Sequence, residues 1–139
     1  MATSDNNDDF DLPSWTFIDL TRNQKLAIIN FLSVIAASDA NKQTNKNELA
    51  FISHYYREFG VTGAQYLAYI SIGGRERTIA EIKNLSKENM QDLVYATTEL
   101  CGCNGTLTVE EFSALINWLE PIGITIEEWN DMLENPGLF

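Results

Sequence analysis

The sequence is poor in the residues that metal and redox chemistry most often needs. It has two cysteines and one histidine among 139 residues. Cys101 and Cys103 are separated by one residue, a spacing that rarely allows disulfide geometry without strain. We therefore interpret both as reduced thiols of a cytoplasmic protein. A soft-metal or redox role would need a further ligand brought in by the fold, because His54 has no evident partner nearby in the sequence.

Basic residues are scarce as well, and no apolar run is long. Nine Lys and Arg stand against twenty Asp and Glu, which gives a formal net charge of −11. Nucleic-acid binding and docking to an anionic membrane are both disfavoured, because each needs clustered basic residues. The most apolar stretch, residues 26–37, is far shorter than the ~20 residues of a membrane span, so we expect no direct membrane insertion. Basic protein partners or divalent cations suit this composition, and so does an acidic surface that only maintains solubility.

Catalytic motifs are also missing from the sequence. It contains no Ser/His/Asp or Cys/His set with a local signature, no phosphate-binding glycine loop and no metalloprotease helix motif. The acidic pairs Glu110/Glu111 and Glu127/Glu128 are adjacent, so their side chains diverge on a helix. We expect a protein that is not an enzyme.

An internal repeat is the most informative feature that the sequence does contain. Residues 41–66 align without a gap with residues 104–129, sixty-three positions later. Repetition of this kind predicts two similar helical units. The identical pairs are Asn41/Asn104, Glu48/Glu111, Gly60/Gly123 and Thr62/Thr125.

Both copies have the apolar spacing of amphipathic helices. Two stripes, sixty-five positions apart, predict helices over about residues 21–38 and 86–101: Ile28, Phe31, Leu32 and Ile35, and Leu93, Ala96, Thr97 and Leu100. Two more stripes predict the following helices: Leu49, Ile52, Tyr56 and Phe59, and Phe112, Leu115, Leu119 and Ile122. Gly60 and Gly123 are typical of helix ends.

Four Thr or Asn residues in the repeats precede a Glu or Gln by three positions, as in a capping box. They are Asn45, Thr62, Thr108 and Thr125. The same spacing in Thr78 and Glu81 predicts a short connecting helix through Leu85.

These elements predict an all-α fold, a compact bundle of about six or seven helices with an internal pseudo-twofold repeat. Residues 1–14 are expected to form a flexible acidic tail. Residues 15–139 then form a single domain, with repeat one over about residues 21–72 and repeat two over about residues 86–135. Trp15, Phe17, Ile18 and Leu20 are expected to anchor the start of the domain to its core.

The duplicated loop before a capped helix is the best candidate for a site. Oxygen ligands on a short loop, followed by a carboxylate in the first helical turn, suit a divalent cation such as Ca²⁺ or Mg²⁺. Neither loop has the acidic spacing of a complete EF-hand. Capping alone would also explain the repeated Asn and Glu residues. The candidate ligands are Asp39, Asn41, Glu48, Asn104, Glu110 and Glu111.

The chain here resembles the TerB-like tellurite-resistance domains. The likeness covers roughly residues 23–133. It rests on a small residue followed by Asp or Asn, with a glutamate seven positions after that Asp or Asn. In this sequence the pairs are Asn41 with Glu48 and Asn104 with Glu111. Phe-Gly-Val-Thr and Ile-Gly-Ile-Thr after the helices also match. The resemblance implies a duplicated all-helical domain with an acidic patch able to bind divalent metal, and roles in stress-response or membrane-associated complexes. Asn replaces the family's usual Asp at both positions, so any cation would be bound weakly.

Two functional hypotheses follow from these observations. The first is a non-enzymatic TerB-like binding or scaffold module that engages a basic segment of a partner protein through an acidic face. Aromatic residues are expected to contribute to that face if they do not pack in the core: Tyr55, Tyr56, Tyr66, Tyr69, Trp118 and Trp129. The second is weak binding or sensing of a divalent cation by the two loops, with no other cofactor.

Overall fold

The computed structural model describes residues 17–38, 46–102 and 109–134, with only the helical backbone at residues 46–48 and 101–102. These residues form seven α-helices and no strand, which confirms the predicted all-α bundle. The helices are α1 (Arg22–Ala37), α2 (Lys46–Phe59), α3 (Gly63–Ile70), α4 (Gly74–Lys83), α5 (Lys87–Gly102), α6 (Val109–Ile122) and α7 (Ile126–Glu134). Among the described residues, no helix has both the length and the apolar character needed to cross a membrane. The predicted tail at residues 1–14 lies outside the described residues.

The repeat is preserved in the lengths and positions of the helices. Copy one consists of α1, α2 and α3, and copy two of α5, α6 and α7. Helices α1 and α5 both have 16 residues, and α2 and α6 both have 14. Helices α3 and α7 have 8 and 9 residues. Both ends of α1 and α5 differ by sixty-five positions and both ends of α2 and α6 by sixty-three, as the sequence repeat predicts.

The two copies pack around a shared core with matching neighbours. Helix α3 packs on α1 as α7 packs on α5, while α6 crosses to α1 as α2 crosses to α5. The predicted stripes of α1 and α5 lie at this centre, and all eight residues are at most 2% exposed. At ~25 cal/mol per Å² of apolar surface, such burial is the main contribution to the stability of the bundle.

Signals at the helix ends also agree between the copies. Thr62 and Thr125 cap α3 and α7, and each forms reciprocal hydrogen bonds with the residue three positions later, Gln65 or Glu128. Gly60 and Gly123 have φ of 65° and 90°, a region that favours glycine. The N–H groups of the residues that follow them donate to carbonyls five positions earlier, which closes both ends in a Schellman motif.

Helix α4 has no counterpart, and it corrects one of the predictions. It begins at Gly74 after Gly73, whose φ is 64°, and not at Thr78. Thr78 is fully buried in the middle of α4, where its hydroxyl accepts a hydrogen bond from Asn30 Nδ2 at 2.9 Å. The Tyr69 hydroxyl lies 3.0 Å from the same oxygen, and Tyr66 donates to Asn30 Oδ1 at 2.9 Å. This buried polar network joins α1, α3 and α4.

The predicted stripe of α2 is wrong at Leu49, and its other three residues, Ile52, Tyr56 and Phe59, are half-buried. Leu49 is 55% exposed, whereas Phe51 and Tyr55 are each 1% exposed and face the core. The equivalent Phe112 in α6 is also exposed, at 43%. One side chain per copy therefore extends to the surface at the same position, and the buried stripe begins two or three residues later.

Most of the aromatic residues considered for a binding face belong to the core. Tyr55, Tyr69, Trp118 and Trp129 are buried, and Tyr56 and Tyr66 are half-buried. The ring of Phe31 lies 5.5 Å from that of Trp118 and 6.3 Å from that of Trp129, so copy one contributes to the aromatic cluster of copy two. An interaction surface must therefore depend on other side chains.

Pro121 occupies the last turn of α6. Proline has no N–H, so the Asn117 carbonyl cannot accept the usual helical hydrogen bond from position 121. Arg75 of α4 donates to that carbonyl instead, at 3.1 Å, and its guanidinium lies 5.1 Å from the centre of the Trp118 ring. The proline thus creates an acceptor that fastens α4 to α6.

Candidate functional site

The predicted cation ligands fall largely outside the part of the chain that the structure describes. Asp39, Asn41 and Asn104 lie outside it, and Glu48 lies in α2 where only the backbone is described. Glu110 and Glu111 both lie in the first turn of α6. Among the described residues, no group of three or more His, Cys, Asp or Glu side chains is placed to hold a metal ion.

Glu110 and Glu111 point in different directions, as their adjacency predicts. Glu110 is exposed, whereas Glu111 is 0% exposed. A carboxylate that is completely withdrawn from water needs polar or ionic partners, which a helix N-terminus provides in part. The structure therefore separates the two glutamates that the sequence placed in one site.

His54 is the histidine that a soft-metal or redox site would need beside the two cysteines. It is half-buried, and its ring packs edge-on against Tyr55 at 5.3 Å. Burial lowers the pKa of His54 and Arg57 lowers it further, while Glu58 acts in the opposite direction. Cys101 lies at the end of α5 with its side chain undescribed, and Cys103 lies outside the described residues.

Charge is distributed unequally between the two copies, a feature that sequence reasoning missed although it can be counted there. Residues 88–134 contain ten Asp and Glu and no Lys, Arg or His. All nine Lys and Arg of the chain lie between positions 22 and 87. Half of the twenty carboxylates therefore lie in residues 88–134 without a basic residue among them, and most of the net negative charge comes from this part of the chain.

Eight of these ten acidic side chains are exposed on α5, α6 and α7. We call this set the acidic surface: Glu88, Glu99, Glu110, Glu120, Glu127, Glu128, Asp131 and Glu134. Asp92 is half-buried, and burial raises the pKa of its carboxyl. Self-repulsion among so many like charges costs stability, and it also produces a strong attraction for cationic groups.

Acidic side chains also lie near the contact between α2 of copy one and α5. The Tyr55 hydroxyl is buried there and has no hydrogen-bond partner among the described residues. Burial raises the pKa of Tyr55, and Asp92, Glu99 and Glu58 raise it further. At neutral pH the phenol therefore keeps its proton and can only act as a neutral hydrogen-bonding group.

An apolar groove opens beside the acidic surface, between the end of α4 and the packed ends of α5, α6 and α7. Its volume is about 310 Å³. The apolar groove is lined by Ile82, Leu85, Met90, Ile122, Ile124 and Met132. The charged residues in its lining are Lys83 at the end of α4, Lys87 at the start of α5, and Glu128 and Asp131 on α7.

The place in copy one that corresponds to this groove has a different lining. Phe17, Leu20 and Lys25 precede Ile82, Leu85 and Met90 by sixty-five positions. The ring of Phe17 lies 5.8 Å from that of Phe59, the counterpart of Ile122. The cavity left there, about 260 Å³, also includes Asp19, Lys25 and Glu58 among its lining residues. Both linings contain charged residues, but copy one places the aromatic ring of Phe17 where copy two has the smaller side chain of Ile82 and an open apolar groove.

No protein-family model, no curated protein and no solved structure matches this chain. The likeness to TerB-like domains accordingly stays a prediction from the sequence.

Proposed function

We propose that this chain is a non-catalytic protein-binding module that holds a basic segment of a partner protein on the acidic surface of copy two. One observation carries the proposal: residues 88–134 contain ten carboxylates and no basic side chain, and eight of the ten are exposed. A surface with this charge pattern attracts cationic segments over several ångströms and speeds their approach.

The positions of the carboxylates support binding in preference to a purely structural role. Glu128 completes a helix cap, but Glu120, Glu127 and Glu134 are exposed and are not cap residues. Exposed carboxylates without a structural task reduce stability through mutual repulsion, and a cationic partner relieves that cost. Copy one has the same helices without this accumulation, so the fold does not require it.

A synthetic peptide of eight lysines, with blocked ends, tests the proposal by fluorescence anisotropy. The triple variant Glu120→Gln, Glu127→Gln, Glu134→Gln removes three charges from the acidic surface. It is expected to weaken binding several-fold and to reduce the dependence on salt between about 50 and 200 mM. Thermal unfolding of each variant checks that the fold is retained.

The matched control removes three charges outside copy two: Asp19→Asn, Glu58→Gln and Glu76→Gln. It makes the net charge less negative by the same amount as the triple variant. Its effect on peptide binding therefore measures the contribution of net charge alone. Equal weakening by both variants would contradict a binding surface on copy two. Absence of peptide binding at low salt would refute the proposal altogether.

A weak divalent-cation site is the second candidate, and it is supported by the complete burial of Glu111 beside the predicted loop. A thermal-shift titration with Ca²⁺, Mg²⁺ and Zn²⁺ tests it. If a cation binds there, Glu111→Ala abolishes the shift. If Glu111 is only a capping residue, no cation shifts the wild-type midpoint, and the variant loses about 1 kcal/mol of stability.

A further inference from the structure

The two copies treat one position in the bundle in opposite ways. In copy one the segment before α1 places Phe17 against Tyr55 and Phe59, at ring separations of 5.9 and 5.8 Å. In copy two the residue sixty-five positions later is Ile82, which has no ring to place there. The apolar groove of about 310 Å³ is found at that place.

Other residues around this space also differ between the copies, and they make it larger and more apolar in copy two. Ile122 replaces the ring of Phe59, and Met132 replaces that of Tyr69. Met90 stands where copy one has Lys25. Two methionines give this wall flexible, polarisable side chains, which adapt to the shape of an inserted group.

The charged residues of the lining come from different helices and orient an occupant. Glu128 and Asp131 belong to α7 and to the acidic surface, whereas Lys83 and Lys87 belong to the end of α4 and the start of α5. A cationic segment is therefore attracted to α7 beside the groove and is repelled by the two lysines.

We propose that the apolar groove receives one aromatic side chain of the basic partner segment, in the way that Phe17 occupies the equivalent place in copy one. The inference rests on the proposed function, because the acidic surface positions the segment whose aromatic residue enters the groove. Buried aromatic anchors beside charged rims are a common source of affinity in interfaces. One aromatic side chain in the groove is expected to strengthen binding by about tenfold or more.

Methionine methyl groups provide a direct probe of the groove in the full chain. The sequence has three methionines, Met1, Met90 and Met132, and two of them line the groove. A ¹³C-methyl-methionine sample is titrated with three blocked peptides. The first contains eight lysines around one central phenylalanine, the second has serine in place of phenylalanine, and the third has glutamate in place of every lysine.

The expected result is specific to the first peptide. The lysine–phenylalanine peptide shifts the Met90 and Met132 signals through the ring current and binds about tenfold more tightly than the serine peptide. The glutamate peptide does not bind.

Exchanging residues between the copies supplies the variants. Ile82→Phe places in copy two the ring that copy one has, so it is expected to fill the groove and to reduce the affinity for the phenylalanine peptide to that for the serine peptide. Phe17→Ile, the reverse change in copy one, is expected to leave both affinities unchanged. If Ile82→Phe disturbs folding, Leu85→Asn removes apolar lining at a half-buried position and is expected to give the same loss.

Each failure has its own outcome. If the lysine peptides bind but Met90 and Met132 do not shift, the groove is not occupied, and the proposed function survives without it. If neither lysine peptide binds, both proposals fall. Stronger binding of the glutamate peptide would identify an anionic occupant and overturn the inference. So would Met90 and Met132 signals that change with protein concentration alone, because a second copy of the chain would then fill the groove.

Discussion

Copy one and copy two have the same helices and different surfaces. The helix ends, the Schellman glycines and the threonine caps agree, whereas all nine Lys and Arg precede position 88 and residues 88–134 contain ten carboxylates. Because the fold needs only the shared pattern, the features that occur in one copy alone are the best candidates for a function. These features are the acidic surface and the apolar groove of copy two.

The interiors of the two copies differ as well. Copy one has a buried polar network in which Asn30 contacts Tyr66 and Thr78. In copy two the counterparts of Asn30 and Tyr66 are Tyr95 and Trp129, and Trp129 packs against Phe31. Removing one member of a buried hydrogen-bonded network lowers the free energy of unfolding more than removing one hydroxyl group at the edge of an apolar cluster.

The largest predicted effect therefore concerns Asn30. Asn30→Leu removes two hydrogen bonds of the network, one to Thr78 and one from Tyr66, and is expected to lower the free energy of unfolding by about 2–3 kcal/mol. At the equivalent position, Tyr95→Phe removes the acceptor of one hydrogen bond, from Gln91, and should cost about 1 kcal/mol. Urea denaturation measures both, and equal losses would show that the network is not what distinguishes copy one.

The threonine caps test whether the copies are equivalent. Thr62→Ala and Thr125→Ala each remove the side-chain oxygen of a capping box, and each should lower stability by about 1 kcal/mol. Denaturant midpoints with unchanged slopes check this. A clear loss in only one of the two variants would break the structural equivalence of α3 and α7.

These two predictions also separate what the sequence could specify from what it could not. The caps of α3 and α7 and the stripes of α1 and α5 depend on spacing within one segment, so they were predicted correctly. Thr78 has the same spacing from Glu81 but serves the network instead, because Gly73 starts the helix earlier. No local pattern distinguishes the two uses of threonine, since the partner Asn30 lies forty-eight positions away.

Part of the candidate site could likewise be predicted from the sequence, and part of it could not. The absence of basic residues after position 87 was available from the sequence by counting, and only the exposure of the carboxylates required a structure. The groove was not predictable, because it depends on how Phe17 and Ile82 are placed relative to helices far along the chain. Four of the six aromatics that the sequence offered for a binding face proved to be core residues.

A smaller effect is predicted for the link that only copy two has. Arg75→Ala removes a hydrogen bond to the Asn117 carbonyl and a contact with Trp118, at a cost of about 0.5–1 kcal/mol. In a Pro121→Ala background the backbone N–H at position 121 can satisfy that carbonyl, so the same change should cost less. A double-mutant cycle measures the difference, and a coupling of zero would argue against the role assigned to Pro121.

The smallest effect concerns pH. Burial raises the pKa of the Asp92 carboxyl, so its charged form is less favourable in the folded state than in the unfolded chain. The contribution of Asp92 to stability is thus fully present below the usual aspartate pKa of about 4 and is lost as pH rises through the raised value. Asp92→Asn is expected to melt at a higher temperature than wild type at pH 7, and at about the same temperature near pH 3.

Glu76→Gln is the control for that measurement, because Glu76 is an exposed residue of α4 between Arg75 and Arg77. It removes one negative charge next to basic residues and should give no gain in stability at pH 7. A similar gain from both variants would mean that the effect comes from net charge and not from the environment of Asp92.

The location of a bound cationic segment tests the central claim most directly. A blocked octalysine peptide with a nitroxide spin label at one end is added to ¹⁵N-labelled protein, and the broadening of each backbone amide signal is recorded. If the segment binds to the acidic surface, we expect the broadening to be concentrated in α5, α6 and α7 and to disappear when the salt concentration is raised. Equal broadening in α1, α2 and α3, or broadening that salt does not reverse, would contradict a binding surface on copy two.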